Sequence, residues 1–468
     1  MKNFKNLLGG ITMFALGLCF TACSDDDAPQ YSSSAINNSE LKTILISRGF
    51  TFNEQGNLLL DDKANSTTTL DLSGTNLSQD ALAGLGILPN LTDVNLSNNG
   101  YGPVFDFSKL PAQITGVDLR GNELYDFEGL VDVKMENDER QTKVLHNLKK
   151  LYLPESAKYN VEDLMPYYET AGGTTDMQMV NKDNTLEKYN TLREIPDEYF
   201  RAYLKSKFNS IFVDETHIDL RASMGLSAGE SINLGLVNQF ADVNKIKSIE
   251  GIEYFINNPY YHTFFVSINI NNDVNFTTSY LSPRENVKGL LLTNTNTTKG
   301  IDFSKSTKLV ALSLSNNDGL TDADLSNTLI SNQKTSDFDA TLNNNLSIKY
   351  CKNLKSLKLP GHAEGVMNSC ELIQLPSLEA VDLSQINAIE TLALVVMPKC
   401  NITYPDLKYT YYSETNEKVE LSEFDTILFA ISEDVYNMGT TKSFFAAHPV
   451  GLSDEGYSYL NDGAYIWE

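Results

Sequence analysis

A repeating pattern of leucines limits the folds that this chain of 468 residues can adopt. The segments Leu91 to Tyr101 and Ile114 to Leu124 follow the pattern LxxLxLxxNxL with an apolar last position, and weaker copies begin at Thr67, Leu148, Val287, Leu309, Leu354 and Leu378. The central apolar positions of the copies are Leu70, Val94, Val117 and Leu151, and then Leu290, Leu312, Leu357 and Val381. Most steps between them are 22 to 24 residues, and we interpret the step of 45 from Leu312 to Leu357 as two periods.

This spacing lies in the range of roughly 20–29 residues that leucine-rich repeats share. Strand residues alternate between two faces, so the leucines of each LxL segment point inward and their neighbours outward. The asparagine after the strand can bond backbone groups where the chain turns. We therefore predict an α/β leucine-rich repeat solenoid of two modules, each with a cap. Short parallel strands form its concave face, and loops or short helices form its convex face.

The N-terminus has the features of a secretory signal peptide. Lys2 and Lys5 precede an apolar run from Leu7 to Phe20, and small residues precede Cys23. The run is too short to span a bilayer comfortably.

Residues 20–23, Phe-Thr-Ala-Cys, resemble the lipobox of bacterial lipoproteins. The resemblance implies that Cys23 becomes the lipid-attachment residue, acylated with fatty acids such as palmitate. Residues 24–27, Ser-Asp-Asp-Asp, resemble the surface-export signal of Bacteroidetes lipoproteins, which implies a lipid-anchored protein on the outer face of the outer membrane. The alternative is that the three aspartates simply begin a solvated linker.

A predicted helix near residue 200 marks the start of the second of the two repeat modules. Pro196 stands near the start of a segment in which Phe200, Tyr203, Leu204 and Phe208 share one face, which predicts an amphipathic helix.

Together with the downstream sequence IEGIEYF, residues 249–255, this helix resembles the N-terminal cap of leucine-rich repeat proteins from gut and oral bacteria, over about residues 190–400. Some members of that family carry a calcium loop after the helix. Residues 209–228 lack its spaced carboxylates and central glycine, so we predict no calcium site there.

These observations divide the chain as follows: 1–22 signal peptide, 23–39 acylated cysteine and flexible tether, 40–165 first repeat module, 166–190 linker, 191–400 second module with a helical cap, and 401–468 aromatic-rich C-terminal cap. We expect the charged stretch Asp132 to His146 and the polar stretch Gly172 to Asn184 to be loops.

The net charge of −25 and a pI near 4.6 argue against a nucleic-acid partner, which requires clustered lysine and arginine. The acidity keeps an exported protein soluble or, alternatively, attracts a basic partner or divalent cations. We expect Cys351, Cys370 and Cys400 to be buried as small apolar residues, and one disulfide among them stays open.

The chain carries no motif of a known catalytic or cofactor site. The five histidines are scattered without an HExxH pair, and GxSxG, P-loop and GxGxxG motifs are absent from the sequence. We predict that the protein is not an enzyme and needs no cofactor or metal.

We expect the ligand to bind on the concave face of the first module. The candidate residues project outward beside the inward leucines; they are Asp71, Asp93, Asn95, Asp118, Arg120 and Tyr152. Four of them, Asp71, Asn95, Asp118 and Tyr152, are predicted to form one row. The corresponding row in the second module is Leu291, Ser313, Lys358 and Asp382. Aspartate and asparagine are also common at these positions without any ligand.

The favoured function is a cell-surface binding or adhesion protein whose repeat surface binds a protein or a glycan. One alternative is an accessory lipoprotein of an outer-membrane nutrient-uptake complex. Another is a hydrolase with a site in the aromatic C-terminal region.

Overall fold

The computed structural model describes residues 31–136, 139–224, 232–233, 241–258, 265–268, 276–330, 345–361, 366–386, 388–404, 409–412, 418–421 and 428–447. The leader and Cys23 lie outside these residues. The fold is mixed α/β, with several parallel sheets of short strands.

The N-terminal part of the chain is built mainly from short strands. Its strands are β1 (Ser33–Ser34), β2 (Leu58–Leu59), β3 (Thr69–Asp71), β4 (Asp93–Asn95), β5 (Val104–Asp106), β6 (Gly116–Asp118), β7 (Asp126–Glu128), β8 (Val131–Glu136), β9 (Glu139–Val144), β10 (Lys150–Leu153), β11 (Asp176–Val180) and β12 (Leu186–Lys188). Its α-helices are α1 (Ser39–Ser47), α2 (Asp62–Ser66) and α3 (Leu164–Ala171), and 3-10 helices cover Gln79–Ile87, Phe107–Lys109 and Glu155–Tyr159.

The C-terminal part continues with strands β13 (Leu192–Glu194), β14 (His217–Asp219), β15 (Ile232–Asn233), β16 (Phe265–Ile268), β17 (Phe276–Thr278), β18 (Gly289–Leu292), β19 (Thr295–Thr297), β20 (Ala311–Ser315), β21 (Asp322–Asp324), β22 (Asn345–Lys349), β23 (Ser356–Lys358), β24 (Val366–Ile373), β25 (Ala380–Asp382), β26 (Ala388–Val395), β27 (Asn401–Thr403), β28 (Tyr409–Tyr412), β29 (Lys418–Leu421) and β30 (Leu428–Ile431). Its α-helices are α4 (Glu198–Phe208), α5 (Glu253–Ile256), α6 (Glu433–Tyr436) and α7 (Gly439–Ala447). Among the described residues of this part, 3-10 helices cover Asn209–Ile211 and Val243–Lys245.

The first large sheet has six strands in the order β12-β11-β10-β6-β4-β3. All neighbours are parallel except β11 and β12. The predicted central residues pair in register and are buried; they are Leu70, Val94, Val117, Leu151 and, in addition, Met177. The apolar side chain of each strand is therefore shielded from water by the side chains of the neighbouring strands.

The second large sheet has eight parallel strands in the order β15-β16-β18-β20-β22-β24-β26-β30. Its buried central row contains Leu290, Leu312, Leu346, Cys370 and Leu392.

Two sequence predictions for this part are wrong. Leu357 and Val381 belong to a separate four-stranded parallel sheet, β21-β23-β25-β27, and follow the central residues Leu346 and Cys370 by 11 positions. The step of 45 residues from Leu312 to Leu357 therefore joins two different sheets.

The predicted row from Leu291 and Ser313 to Lys358 and Asp382 fails for the same reason. In the structure Leu291 and Ser313 are followed by Ser347, Glu371 and Ala393.

One backbone conformation recurs four residues after eight of the central positions. The φ angle there lies between 52° and 70° at Gly74, Asn98, Gly121, Asn294, Asn316, Tyr350, Gln374 and Val396. The backbone N–H groups of Gly74, Asn98, Asn316, Tyr350 and Gln374 each donate to a carbonyl of the next strand's segment at 2.7–3.0 Å. Glycine and asparagine adopt this left-handed conformation most readily, whereas bulky residues are strained in it.

The residue directly after the left-handed one is asparagine in several repeats, and its hydrogen bonds to backbone groups are the ones predicted. Asn122, which follows Gly121, is an example. Asn122 Oδ1 accepts from the backbone N–H groups of Asn99 and Tyr101, at 3.0 and 3.1 Å. Its Nδ2 donates to the carbonyls of Leu96 and Leu119, at 3.1 and 2.8 Å. One buried side chain thus satisfies backbone groups of two successive repeats.

Three segments predicted to be irregular are ordered elements. Strand β1 pairs with β2 and Asn38 caps helix α1, so the tether ends earlier than residue 39. The stretch Asp132 to His146 contains the antiparallel hairpin β8–β9 rather than a loop. The range 166–190, treated above as a linker and partly as a loop, contains most of helix α3 and strands β11 and β12 of the first sheet.

The predicted amphipathic helix is confirmed as α4. Asp197 caps it by accepting from the N–H groups of Tyr199 and Phe200, and all four predicted apolar side chains are buried. Cys351, Cys370 and Cys400 are free and buried, as the apolar interpretation predicts. Burial raises the thiol pKa of Cys351 to about 11 and that of Cys370 to about 12.

Replacement of Asn122 by alanine tests the asparagine hydrogen bonds. Asn122→Ala leaves buried N–H and carbonyl groups without partners, so we expect the free energy of unfolding to fall by about 3 kcal/mol. Urea titration followed by circular dichroism measures the change. The control is Asn90→Ala, which removes a single exposed hydrogen bond to the Asn65 carbonyl and should cost less than about 0.5 kcal/mol. Equal losses for the two variants would contradict this role.

Candidate functional site

The six predicted ligand residues lie on the outward face of the first sheet. Strand β3 carries Asp71, β4 carries Asp93 and Asn95, β6 carries Asp118, β10 carries Tyr152, and Arg120 follows β6 by two residues. The strand register places Asp71, Asn95, Asp118 and Tyr152 side by side, which confirms the predicted row. Gln178 of β11 extends it.

A second row runs parallel to the first, two residues earlier along each strand. It contains Asp93, Gly116, Lys150 and Asp176 in register. Lys150 Nζ reaches across Gly116 and bonds the Asp93 carboxylate at 2.6 Å. A Cβ atom on residue 116 would lie 2.1 Å from Asp93 Oδ2, so this ion pair requires glycine between its partners.

Asp118 holds the side chain of Arg120 through two parallel bonds. Arg120 Nε lies 2.9 Å from Asp118 Oδ1, and Nη2 lies 2.6 Å from Oδ2. This hydrogen bonding raises the pKa of Arg120, although partial burial opposes it. Asp118 is only 4% exposed, whereas the Arg120 side chain is 42% exposed. The aspartate thus positions the arginine, and the arginine is the group that meets solvent.

Tyr152 is contacted by both cations of this face. The guanidinium carbon of Arg120 lies 5.6 Å from the ring centre and Lys150 Nζ lies 5.3 Å from it, within cation–π range. The tyrosine hydroxyl donates to Asp176 Oδ2 at 2.9 Å. Partial burial and this hydrogen bond raise the pKa of Tyr152.

The face therefore presents carboxylate and amide groups beside two cations, in positions held by mutual contacts. Such a surface can recognise charged and hydrogen-bonding groups of a ligand. Asp176 and Gln178 were not among the predicted site residues, because the polar composition of Gly172 to Asn184 predicted a loop where the structure has strand β11. The alternating apolar residues Met177 and Met179 were the signal for a strand there.

Gly116→Ala tests the ion pair that crosses the sheet. We expect the added methyl group to displace Asp93, break its bond with Lys150 and lower the free energy of unfolding by about 1 kcal/mol. The measurement is a double-mutant cycle with Asp93→Ala, in whose background Gly116→Ala should cost little. Gly173→Ala, where the added atom meets open space, is the matched control. A cost of Gly116→Ala that is unchanged in the Asp93→Ala background would refute the explanation.

A separate carboxylate cluster lies where the N-terminal and C-terminal parts meet. Oxygens of Asp126, Glu162 and Asp163 lie within 4.8 Å of one another, a spacing that could hold a metal ion. Arg284 Nη2 lies among them, at 2.6 Å from Asp126, 3.6 Å from Glu162 and 3.0 Å from Asp163. Lys305 Nζ adds a contact of 3.0 Å to Asp126. The guanidinium thus takes the position that a cation would occupy.

The three carboxylates carry one more charge than the two cations can neutralise. Burial raises the pKa of Glu162 to about 7 and that of Asp163 to about 6, against the opposing effect of Arg284. Burial also acts on Asp126, but the adjacent Arg284 and Lys305 lower its pKa. One proton is therefore taken up by the pair Glu162 and Asp163 near neutral pH.

Removal of Arg284 tests this cluster and its dependence on pH. Arg284→Met leaves buried carboxylates with Lys305 alone, and at about pH 8 we expect a loss of about 3–5 kcal/mol in the free energy of unfolding. The pKa values of Glu162 and Asp163 in the folded state lie above those in the unfolded chain. Protonation therefore favours the folded state, and the loss should shrink as pH falls to about 5.

Thermal unfolding of the variant and the wild type at both pH values measures this difference. Lys308→Met, at an exposed lysine near the cluster in sequence, is the control and should cost little at either pH. A loss for Arg284→Met that is independent of pH would show that the carboxylates are not the cause.

No protein-family model matches this chain, and no curated protein matches it either. Among the described residues, none of the helices combines the length and apolar composition needed to cross a lipid bilayer.

Proposed function

We propose that this protein is a leucine-rich repeat solenoid of two modules, anchored through Cys23 to the outer face of the outer membrane, that binds a partner through the outward face of its first sheet. In this proposal the protein is a binding or adhesion protein and not an enzyme. The in-register row of Asp71, Asn95, Asp118, Tyr152 and Gln178 is the observation that carries it.

The repeat assignment is supported by three recurrent features. Central apolar residues stack in register, and the residue four positions later has a left-handed backbone conformation. The position after that is Asn99, Asn122 or Asn317, and each of these side chains forms a hydrogen bond to the neighbouring repeat. Cys351 takes the same position, at which leucine-rich repeats use asparagine or cysteine.

The chemistry of the face favours a protein as partner over a glycan. A platform for sugar rings needs an aromatic face that is free to stack, but Arg120 and Lys150 already contact the ring of Tyr152. Arginine and tyrosine are typical hot-spot residues of protein–protein interfaces, where a few side chains contribute most of the binding free energy. The aspartates add the electrostatic complementarity that selects a partner with basic groups.

The test is a binding screen with the chain from residue 24 onward, which retains every residue that the structure describes. Immobilised extracellular-matrix proteins and glycans are the probes, and biolayer interferometry measures Kd. For the partner found, Arg120→Gln and Tyr152→Ala should each weaken binding at least about tenfold with an unchanged circular dichroism spectrum.

Lys109→Gln removes an exposed lysine that pairs with Asp80, away from the two rows, and is the control variant. Unchanged affinity of the Arg120 and Tyr152 variants would exclude this face as the binding surface. Binding of glycans alone would assign the face to carbohydrate.

A further inference from the structure

A polar groove crosses the outward face of the second large sheet. It measures about 580 Å³ and is lined by Thr293, Asn294, Ser313, Ser315, Asn316, Ser347, Lys349 and Tyr350. These residues come from β20, from β22 and from the turns that follow β18, β20 and β22. Ser313 pairs with Ser347 and Ser315 with Lys349, so residues of successive strands lie side by side. The volume lies within the range of about 300–1,000 Å³ that is usual for small-ligand sites.

Seven of the eight lining residues are uncharged, although the whole chain has a net charge of −25. Lys349 is the only charged side chain among the described residues that line the groove, and it forms a salt bridge of 2.7 Å with Glu371, which also accepts from the Ser347 hydroxyl. Within the described residues, the hydroxyls of Thr293 and Ser313 make no hydrogen bond to protein. Each hydroxyl can donate and accept, so the groove offers these two neutral hydrogen-bonding groups to a ligand.

Tyr350, one of the lining residues, supplies an aromatic surface. It is 37% exposed and has a φ of 59°, at the position where five of the other repeats have glycine or asparagine and two have Gln374 and Val396. A bulky side chain in this conformation is strained, and its exposure recovers little energy from burial. The fold would be served better by asparagine, which indicates that the ring serves a ligand.

We propose that this groove binds a neutral oligosaccharide. The hydroxyls of Thr293 and Ser313 bond the sugar hydroxyls, and the Tyr350 ring packs against the apolar face of one sugar ring. Tyrosine suits this role because it offers a large, rigid contact area with little loss of conformational entropy. This site is distinct from the charged face of the first sheet and does not depend on its proposed function.

The test uses the chain from residue 24 onward and four neutral probes: maltohexaose, cellohexaose, mannohexaose and xylohexaose. Isothermal titration calorimetry should detect binding of at least one of them. Tyr350→Asn should weaken that binding at least about tenfold and leave the melting temperature unchanged or raised, since asparagine tolerates the left-handed conformation.

Gln374→Asn is the matched control, because Gln374 has the same left-handed conformation one repeat later and does not line the groove. It should leave sugar affinity unchanged, as should Arg120→Gln on the first sheet. Absence of binding to all four sugars at millimolar concentration would overturn the proposal. So would equal affinity of the Tyr350 variant and the wild type, or binding that is lost with Arg120→Gln.

Discussion

The in-register stacking of buried aliphatic side chains is the constraint on which the rest of this structure depends. A strand of three to five residues cannot bury Val94 or Leu312 alone, so it is stable only between neighbours that carry an apolar residue at the same position. This requirement fixes the register of the parallel pairs β3–β4, β4–β6, β6–β10, β18–β20 and β20–β22. Once the inward residues are aligned, the outward residues form rows as well, and the predicted row from Asp71 to Tyr152 follows directly.

The same constraint explains where sequence reasoning succeeds and where it fails. In the first sheet the left-handed residues are Gly74, Asn98 and Gly121, whose types mark the phase of the repeat. At the corresponding positions directly after β22 and β24 the chain has Tyr350 and Gln374, and the repeat is no longer marked by glycine or asparagine. Segments around Leu357 and Val381 carry the same alternation of leucines, but they form the second strand of each repeat. Apolar periodicity alone does not distinguish two strands that are 11 residues apart.

The contacts of the candidate sites that join residues far apart in the sequence could not be predicted from the sequence. The bond of Lys150 to Asp93 joins residues 57 positions apart, and that of Arg284 to Asp126 joins residues 158 positions apart. Both depend on which strands or turns are neighbours in space, and the first also depends on the missing side chain of Gly116. In a chain with so many aspartates and glutamates, no local pattern singles out Asp126, Glu162 and Asp163 as a buried group.

An exposed bulky residue in the left-handed conformation, where glycine or asparagine is preferred, carries more information about function than an exposed polar residue does. Val396 also departs from this preference, with a φ of 53°, but it packs against the apolar cluster of Ile373, Ala393, Val395 and Ala430, so burial offsets its strain. Tyr350 has the same conformation without comparable burial. Aspartates and serines on the outward faces are compatible with folding whether or not a ligand binds. Since folding does not account for the side chain of Tyr350, binding is the better explanation for it.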